Sequence, residues 1–372
     1  MPSVVNDPKP QVDPWIKPAP TNASLDWAPL QIIDLSKYDL PGGKEELVKE
    51  LQDSVRHWGF WTIVGSGISQ EQIDRQLSIA NTFFKLPLEE KRKVRADVSV
   101  GNNFGYREPT RFVKNTDVKE NMETLNVPKY TPDYNSVPRH DLIKAFEDEI
   151  APFHRLLWTV VRKLFVLLAI ILELPEDYLV ERHQYDEPSE DHIRFLMYHA
   201  RSASENKKIG DQWLGGHTDF GSLTLLFSQP VAALQIRSPD NEWKWVKYIP
   251  GGITCNAGDT LSFLTKGYIK STIHRVVSPP ADQANLDRLG LIYFSRPGNS
   301  VPMIPAPSPV LIKEGYITGE DEKQLPEDAV TAFEYVRARV KHVLEGKATR
   351  DAQRSPDAVF QVSYLKVQDY YV

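Results

Sequence analysis

His217 and Asp219, two positions apart, and the distant His274 are the residues of this 372-residue chain best placed to do chemistry. A histidine, a carboxylate two positions on and a second histidine can supply three ligands on one side of a metal ion. Such a 2-His-1-carboxylate set leaves the opposite coordination positions open, as oxygen-activating non-haem Fe(II) centres require. In a strand, residues i and i+2 share a face, so His217 and Asp219 can grip one ion. Plainer readings exist. The chain holds nine histidines; His217 follows two glycines, as a surface-loop residue would, and His274 sits in the apolar run Thr272–Val277, as a hydrogen-bonded core histidine would. A zinc hydrolase is a further alternative, but it needs a carboxylate beside a metal-bound water as general base, and no HExxH arrangement supplies one.

Composition narrows the field. A net charge of −6 with no basic cluster gives no footprint for nucleic acid or an anionic membrane. The single cysteine, Cys255, excludes an intramolecular disulfide and suits a reducing compartment. The N-terminus lacks a basic stretch followed by an apolar core, and the run Leu164–Leu172 is too short to span a bilayer. The expectation is a cytoplasmic protein with a small-molecule partner.

The elements that must position the three residues follow from pattern. Residues 1–30 carry Pro8, Pro10, Pro14, Pro18, Pro20 and Pro29, an extended arm that is loose or wrapped over the body. Gln31–Leu35 predicts a strand, Lys44–His57 an amphipathic helix and Trp58–Gly67 a strand with a turn. Ser69 with Gln72 forms a capping box before the next helix, and a polar helix follows Pro87. Residues 102–139 look mixed and loop-like around GYREPTRF, while Leu142–Leu174 is the longest helical pattern, with a kink expected at Pro152. From His192 onward short β-rich runs alternate with turn signals such as Asn256-Ala-Gly-Asp, and GITCNAGDTLSFL reads as one of those runs. Glu327–Gly346 predicts a closing helix. The predicted fold class is mainly β with helices (α+β), a jelly roll closing over a cavity. Its sections are an arm (1–30), a helical layer (31–180), the jelly-roll core with its C-terminal helix (181–346) and a tail (347–372), the helical layer and core forming one integrated domain.

HTDFGSLTLLF, then ALQI, then EWKWVKYIPGGITCNAGDTLSFLTKGYIKSTIHRVV resembles the isopenicillin N synthase-like branch of the Fe(II)/2-oxoglutarate-dependent oxygenases. VRHWGFWTIVGSGIS and FFKLPLEEKRKV resemble that family's N-terminal domain. The resemblance implies a double-stranded β-helix, with Fe(II) held by His217, Asp219 and His274 and with 2-oxoglutarate and O2 as cosubstrates giving succinate and CO2. Arg288 aligns with the family arginine that clamps the distal carboxylate of 2-oxoglutarate, as a planar guanidinium suits, and Tyr198 with the tyrosine that supports it. Two positions depart: Gly290 stands where the family usually has serine, and Leu196 where many relatives have asparagine. Phe294, Tyr106, Arg107 and Arg111 are candidates for substrate contact, whereas Arg275, beside His274, alternates to the opposite side in a structural role. The implied activity is hydroxylation, desaturation or rearrangement of a small, largely apolar metabolite, in secondary metabolism. An Fe(II)/O2 oxidase of the isopenicillin N synthase type, without 2-oxoglutarate, is the alternative that Gly290 keeps open. A catalytically silent jelly-roll binding protein is a third reading, and it predicts no O2 consumption.

Overall fold

Residues alternating between inward and outward faces build the cavity of this protein. The computed structural model describes residues 9–113, 116–318, 329–344 and 359–368. Its strands in chain order are β1 (Ile32–Asp34), β2 (Phe60–Val64), β3 (Gly105–Arg107), β4 (Met122–Pro128), β5 (His192–Tyr198), β6 (Gln212–His217) and β7 (Leu223–Phe227). They continue with β8 (Leu234–Arg237), β9 (Trp243–Trp245), β10 (Ile253–Ala257), β11 (His274–Val277), β12 (Arg288–Ser295), β13 (Val359–Val362) and β14 (Leu365–Gln368). The larger sheet runs β1-β2-β10-β7-β12-β5-β4-β3, the smaller one β6-β11-β8-β9, and β13 and β14 form a separate hairpin. β1 joins β2 in parallel; the other pairings within the two large sheets are antiparallel. The two sheets face each other across one cavity, a jelly-roll sandwich that does not close into a barrel.

Period-two alternation decides which side chains reach that cavity. On β5, Ile193, Phe195 and Met197 turn outward, and on β12, Leu289, Leu291 and Tyr293 do the same, all joining the main core. The helices Gln70–Lys85 and Glu147–Ile171 cover that outer face with Ile79, Phe83, Leu157 and Val161. The alternate residues Arg194, Leu196 and Tyr198 of β5, and Arg288, Ile292 and Phe294 of β12, line the cavity. A one-residue slip of either strand would exchange the two sets, so burial of the outward set fixes the register of the inward one.

Several expectations hold. Ser69 and Gln72 make the capping box reciprocally at the head of Gln70–Lys85, and a short helix, Leu88–Arg92, follows Pro87. From residue 9 onward the arm is wrapped, its first eight positions lying outside the described residues: Lys9 pairs with Asp148 at 2.6 Å, Trp15 N–H donates to Ser78 Oγ at 3.0 Å, and Ala28 N–H donates to the Trp245 carbonyl at 2.7 Å. No helix among the described residues is long and apolar enough to cross a membrane; the Leu164–Leu172 run lies buried at the end of Glu147–Ile171.

Others are corrected. The loop-like stretch 102–139 contains β3 and β4, both strands of the larger sheet; β4 escapes detection because its inward positions, Thr124 and Asn126, are polar although buried. The long helical pattern breaks at Phe146 rather than at Pro152, which sits inside Glu147–Ile171. Asn256-Ala-Gly-Asp is not a free turn: Asn256 ends inside β10, and Asp259–Leu264 forms a short helix where a strand was expected. The closing helix is described over Ala332–Leu344; its expected ends at Glu327 and Gly346 lie outside the described residues. Within the tail, the β13–β14 hairpin packs Leu365 and Val367 against Val336 and Val340 of that helix.

A polar cluster ties β3, β4 and β5 together. Glu123 accepts from Lys91 Nζ at 2.6 Å, from the Tyr106 hydroxyl and from His199 Nε2 at 2.7 Å. Asp287 and Glu123 raise the His199 imidazole to about 9. Burial opposes ionisation of Glu123, but hydrogen bonds from His199, Lys91 and Tyr106 prevail and hold it at about 2. His199, raised when folded, contributes stability that is complete below its unfolded value of about 6.5 and lost as pH rises towards 9. Glu123, depressed when folded, contributes above about 4.5 and loses it as pH falls towards 2. Thermal unfolding is therefore expected to show lower stability at pH 9.5 than at pH 6, with the difference reduced in His199→Gln; an equal decline in the variant would assign the loss to other groups.

Candidate active site

Backbone pairing brings the two histidines together. His217 is the last residue of β6 and His274 the first of β11, and the two are direct cross-strand partners. Asp219 lies just past the strand end, so the simple i, i+2 strand argument gives way to a turn. That turn is held from behind: Asp259 N–H donates to the Asp219 carbonyl at 2.7 Å, and a Cβ at Gly258 would meet the Gly221 carbonyl at 2.3 Å, so only glycine fits there. One ligand atom from each of His217, Asp219 and His274 lies within 4.8 Å of the others.

The neighbours of these residues fix which atoms face the common point. His217 Nδ1 donates to the Gly215 carbonyl at 3.0 Å, and His274 Nδ1 to the Thr272 carbonyl at 3.2 Å. That tautomer leaves each Nε2 lone pair for coordination. Asp219 Oδ2 accepts from Thr224 Oγ1 at 2.7 Å and Asn256 Nδ2 at 2.8 Å, while Oδ1 turns to His274 Nε2 at 3.7 Å. Burial and the adjacent His274 lower the His217 imidazole to about 3, which keeps it neutral and able to bind a cation. Burial favours the neutral acid at Asp219, but the two imidazoles and the two hydrogen bonds outweigh it and hold the carboxyl below its usual range. The donor set suits one divalent ion with oxygen and nitrogen ligands.

Sequence reading missed Thr224 and Asn256, although the parity of Asn256 with inward Thr254 on β10 was available as a signal. Removing such a second partner typically costs about 10- to 100-fold in metal affinity. Asn256→Ala is expected to lose Fe(II) retention by that order, measured by competition with a colorimetric chelator, with unfolding temperature little changed. Unaltered retention would count against this support of Asp219.

The cavity of about 500 Å³ extends from these ligands along the inner face of the larger sheet. Arg288 lies along it, 3% exposed, with Nε donating to the Val231 carbonyl at 3.3 Å. No carboxylate among the described residues pairs with this guanidinium. Burial lowers its basicity, and the titratable group acting on it is Tyr198, its direct cross-strand partner. Tyr198 lines the same cavity, stacked on Trp213 at 5.8 Å between ring centres, and burial raises its phenol to about 12. A buried, unanswered guanidinium is costly and calls for a ligand anion.

The two departures at this end prove to be one. Gly290 and Leu196 face each other across β12 and β5, and a Cβ on Gly290 would stand 3.1 Å from Leu196 Cγ. Leucine fills the space a serine would use. Gly290→Ser alone is expected to be overpacked, costing about 1–3 kcal/mol. Leu196→Ala with Gly290→Ser should relieve that strain and tighten 2-oxoglutarate by up to about tenfold. Unfolding temperature and cosubstrate KM of both variants test this; a tolerated single variant would refute the coupling.

Phe294 and Arg111 line the cavity, as does Arg107. Arg107 and Arg111 share Glu120, at 2.8 and 3.3 Å, and Arg111 also donates to the Val343 carbonyl at 3.0 Å. Tyr106 is not brought there: it precedes Arg107 on β3, so alternation carries it to the opposite face, where its hydroxyl bonds Glu123. Arg275 also turns away from the metal set, stacked over Trp243 at 4.1 Å and bonded to Gln235 at 2.8 Å.

A jelly-roll sandwich whose cavity holds a 2-His-1-carboxylate cluster able to bind a metal, and a buried arginine with no acid among the described residues, is the architecture of a metal-dependent enzyme. Comparison with known proteins gives the family. Residues 30–143 match the N-terminal region of non-haem dioxygenases in morphine synthesis, and residues 185–297 match the 2OG-Fe(II) oxygenase superfamily. The chain belongs to that superfamily: it is a 2-oxoglutarate-dependent dioxygenase with Fe(II) as its metal and O2 as the other cosubstrate. A UPF0676 protein of Schizosaccharomyces pombe is 31% identical over 317 residues, covering 83% of this chain and 90% of that protein. Homoarginine-6-hydroxylase of Arabidopsis thaliana is 30% identical over 280 residues, covering 68% and 82% respectively. Among solved structures, a full-length Neurospora crassa protein in complex with alpha-KG shares the fold, with a TM-score of 0.72 at 24% identity, covering 84% of this chain and 95% of that one.

Proposed function

We propose that this enzyme oxidises a C–H bond of a small metabolite with a largely apolar body, in secondary metabolism, with hydroxylation, desaturation or ring rearrangement as the outcome. Fe(II) in this reading is held by His217, Asp219 and His274, and 2-oxoglutarate by Arg288 with Tyr198. The observation that carries it is a cavity lined both by the three-residue cluster and by a buried guanidinium with no acidic partner among the described residues. Fe(II) held by these residues would supply O2 activation, with 2-oxoglutarate as co-reductant going to succinate and CO2.

The chain's own residues do the positioning. Arg288 draws in the distal carboxylate, the Tyr198 hydroxyl sits beside that clamp, and the apolar surround of Ile209, Trp213 and Val276 excludes water from it. Thr224 and Asn256 hold Asp219 with one oxygen facing the metal point. Phe294 and Arg111 belong to the substrate side, and Arg107 replaces Tyr106 there. Similar proteins that hydroxylate small molecules support this, among them a coumaroyl CoA and feruloyl CoA ortho-hydroxylase of Ruta graveolens. The lone Cys255, buried and unbridged, fits a cytoplasmic setting. Functionally the helical layer (31–180) and core (181–346) act as one unit, since β3 and β4 supply cavity residues.

Anaerobic titration of the Fe(II) protein with 2-oxoglutarate tests the reading. A visible metal-to-ligand charge-transfer band is expected, and its absence would overturn it. A metabolite panel scored by substrate-stimulated succinate formation then identifies the substrate.

A further inference from the structure

The cavity wall carries more positive charge than the cosubstrate clamp requires. Arg107, Arg111, Arg194, Arg288 and Arg296 all line it. Arg107 and Arg111 each pair with Glu120, and Arg296 shares Glu190 with Arg337, so each of these three has a carboxylate in contact. Arg288 belongs to the 2-oxoglutarate reading. Arg194 is left over. Its Nε donates to the amide oxygen of Asn126 at 2.8 Å, its guanidinium lies over the Phe294 ring at 4.7 Å, and no carboxylate among the described residues forms an ion pair with it. The acid in its vicinity, Asp219, is committed to Thr224, Asn256 and the metal point. Burial, Arg107 and Arg296 lower its basicity to about 10, which still leaves it charged at neutral pH.

Position separates this cation from the clamp. Arg194 and Tyr198 are four residues apart on β5, about 13 Å along the strand, and Tyr198 is the partner of Arg288. Phe294, over which the Arg194 guanidinium sits, lies at the far end of β12 from Arg288. Leu196 stands between. The distal carboxylate of a five-carbon diacid held at Arg288 lies at the other end of β5 from Arg194. Phe294 lies against Arg194, and Phe60, Phe220 and Val340 line the same cavity.

We propose that the substrate is a small carboxylic acid with an apolar body, its carboxylate bound by Arg194 and its hydrocarbon packed on the aromatic wall. Arg194 then acts as the specificity residue: the charge-assisted pair fixes one end of the substrate and so determines which carbon is presented to the metal. This rests on the oxygenase reading above and sharpens it from an apolar metabolite to an apolar acid.

The test uses the anaerobic Fe(II)·2-oxoglutarate protein and follows its charge-transfer band while titrating matched probes: a series of aliphatic and arylalkanoic acids, their primary amides and their methyl esters. Saturating perturbation by at least one acid is expected, with its amide and ester binding at least about tenfold more weakly. Arg194→Gln should erase that discrimination, and Arg194→Lys should retain part of it. The band reports folding of each variant independently, because it arises at the metal and the Arg288 clamp. No binding by any acid, equal binding of the neutral analogues, or discrimination surviving in Arg194→Gln overturns the proposal. Failure of the band in the wild-type protein overturns the cosubstrate reading instead.

Discussion

His217→Ala abolishes 2-oxoglutarate-dependent succinate formation while leaving the fold intact: that is the largest effect expected. His217 ends β6 opposite His274, and its Nδ1 bond to Gly215 serves only to orient the ring. Removing the imidazole would delete one of the three proposed ligands and leave only Asp219 and His274 for the metal. The loss of Fe(II) affinity should exceed the roughly 100-fold that follows from deleting a supporting hydrogen bond. Structural cost should be small, because His217 is only partly buried and the strand pairing is made by backbone groups. Metal content after gel filtration, succinate yield and far-ultraviolet circular dichroism measure the three quantities. Near-normal turnover in a folded variant would remove His217 from the metal set.

The second large effect concerns Arg288→Ala, which is expected to raise the 2-oxoglutarate KM far more than it lowers kcat. The guanidinium is buried, its Nε is held by Val231, and its remaining donors have no acid to bind among the described residues. Truncating one partner of a buried, hydrogen-bonded charge pair costs about 2–5 kcal/mol, which is roughly two to three orders of magnitude in affinity. Because the clamp grips the end of 2-oxoglutarate remote from the metal, saturating cosubstrate should recover most of the rate. Because Leu196 already occupies the place of a serine hydroxyl at Gly290, this enzyme has fewer donors to fall back on, and the effect should lie towards the upper part of that range. A kcat loss with unchanged KM would place Arg288 outside the cosubstrate site.

Much of the site was legible in residue types and spacing. His217, Asp219 and His274 stood out because few combinations of side chains can hold a metal, and Arg288 because it follows at a family-like distance. Arg194 carried a usable signal too: it shares the parity of Tyr198 on β5, yet one arginine in a strand says nothing about whether an acid will meet it. Tyr106 and Arg107 show the limit from the other side. Adjacent residues in a strand go to opposite faces, and only packing decides which face is the cavity.

The fold divides in the same way. Local chemistry announced the capping box at Ser69, the amphipathic helices and the β-rich second half, because these depend on neighbours within a turn or two. The strands β3 and β4 were hidden, since a polar strand is stable only when a tertiary partner supplies its burial. The sequence by itself pointed to the three candidate ligands, to Arg288 as the candidate for the cosubstrate carboxylate, and to the jelly-roll class. Tertiary structure alone decided that Thr224 and Asn256 support Asp219, that Leu196 fills the gap at Gly290, and that Arg194 meets no carboxylate among the described residues. Those facts are pairings across strands distant in the chain, and pair energies between such residues exist only once the sheets are assembled.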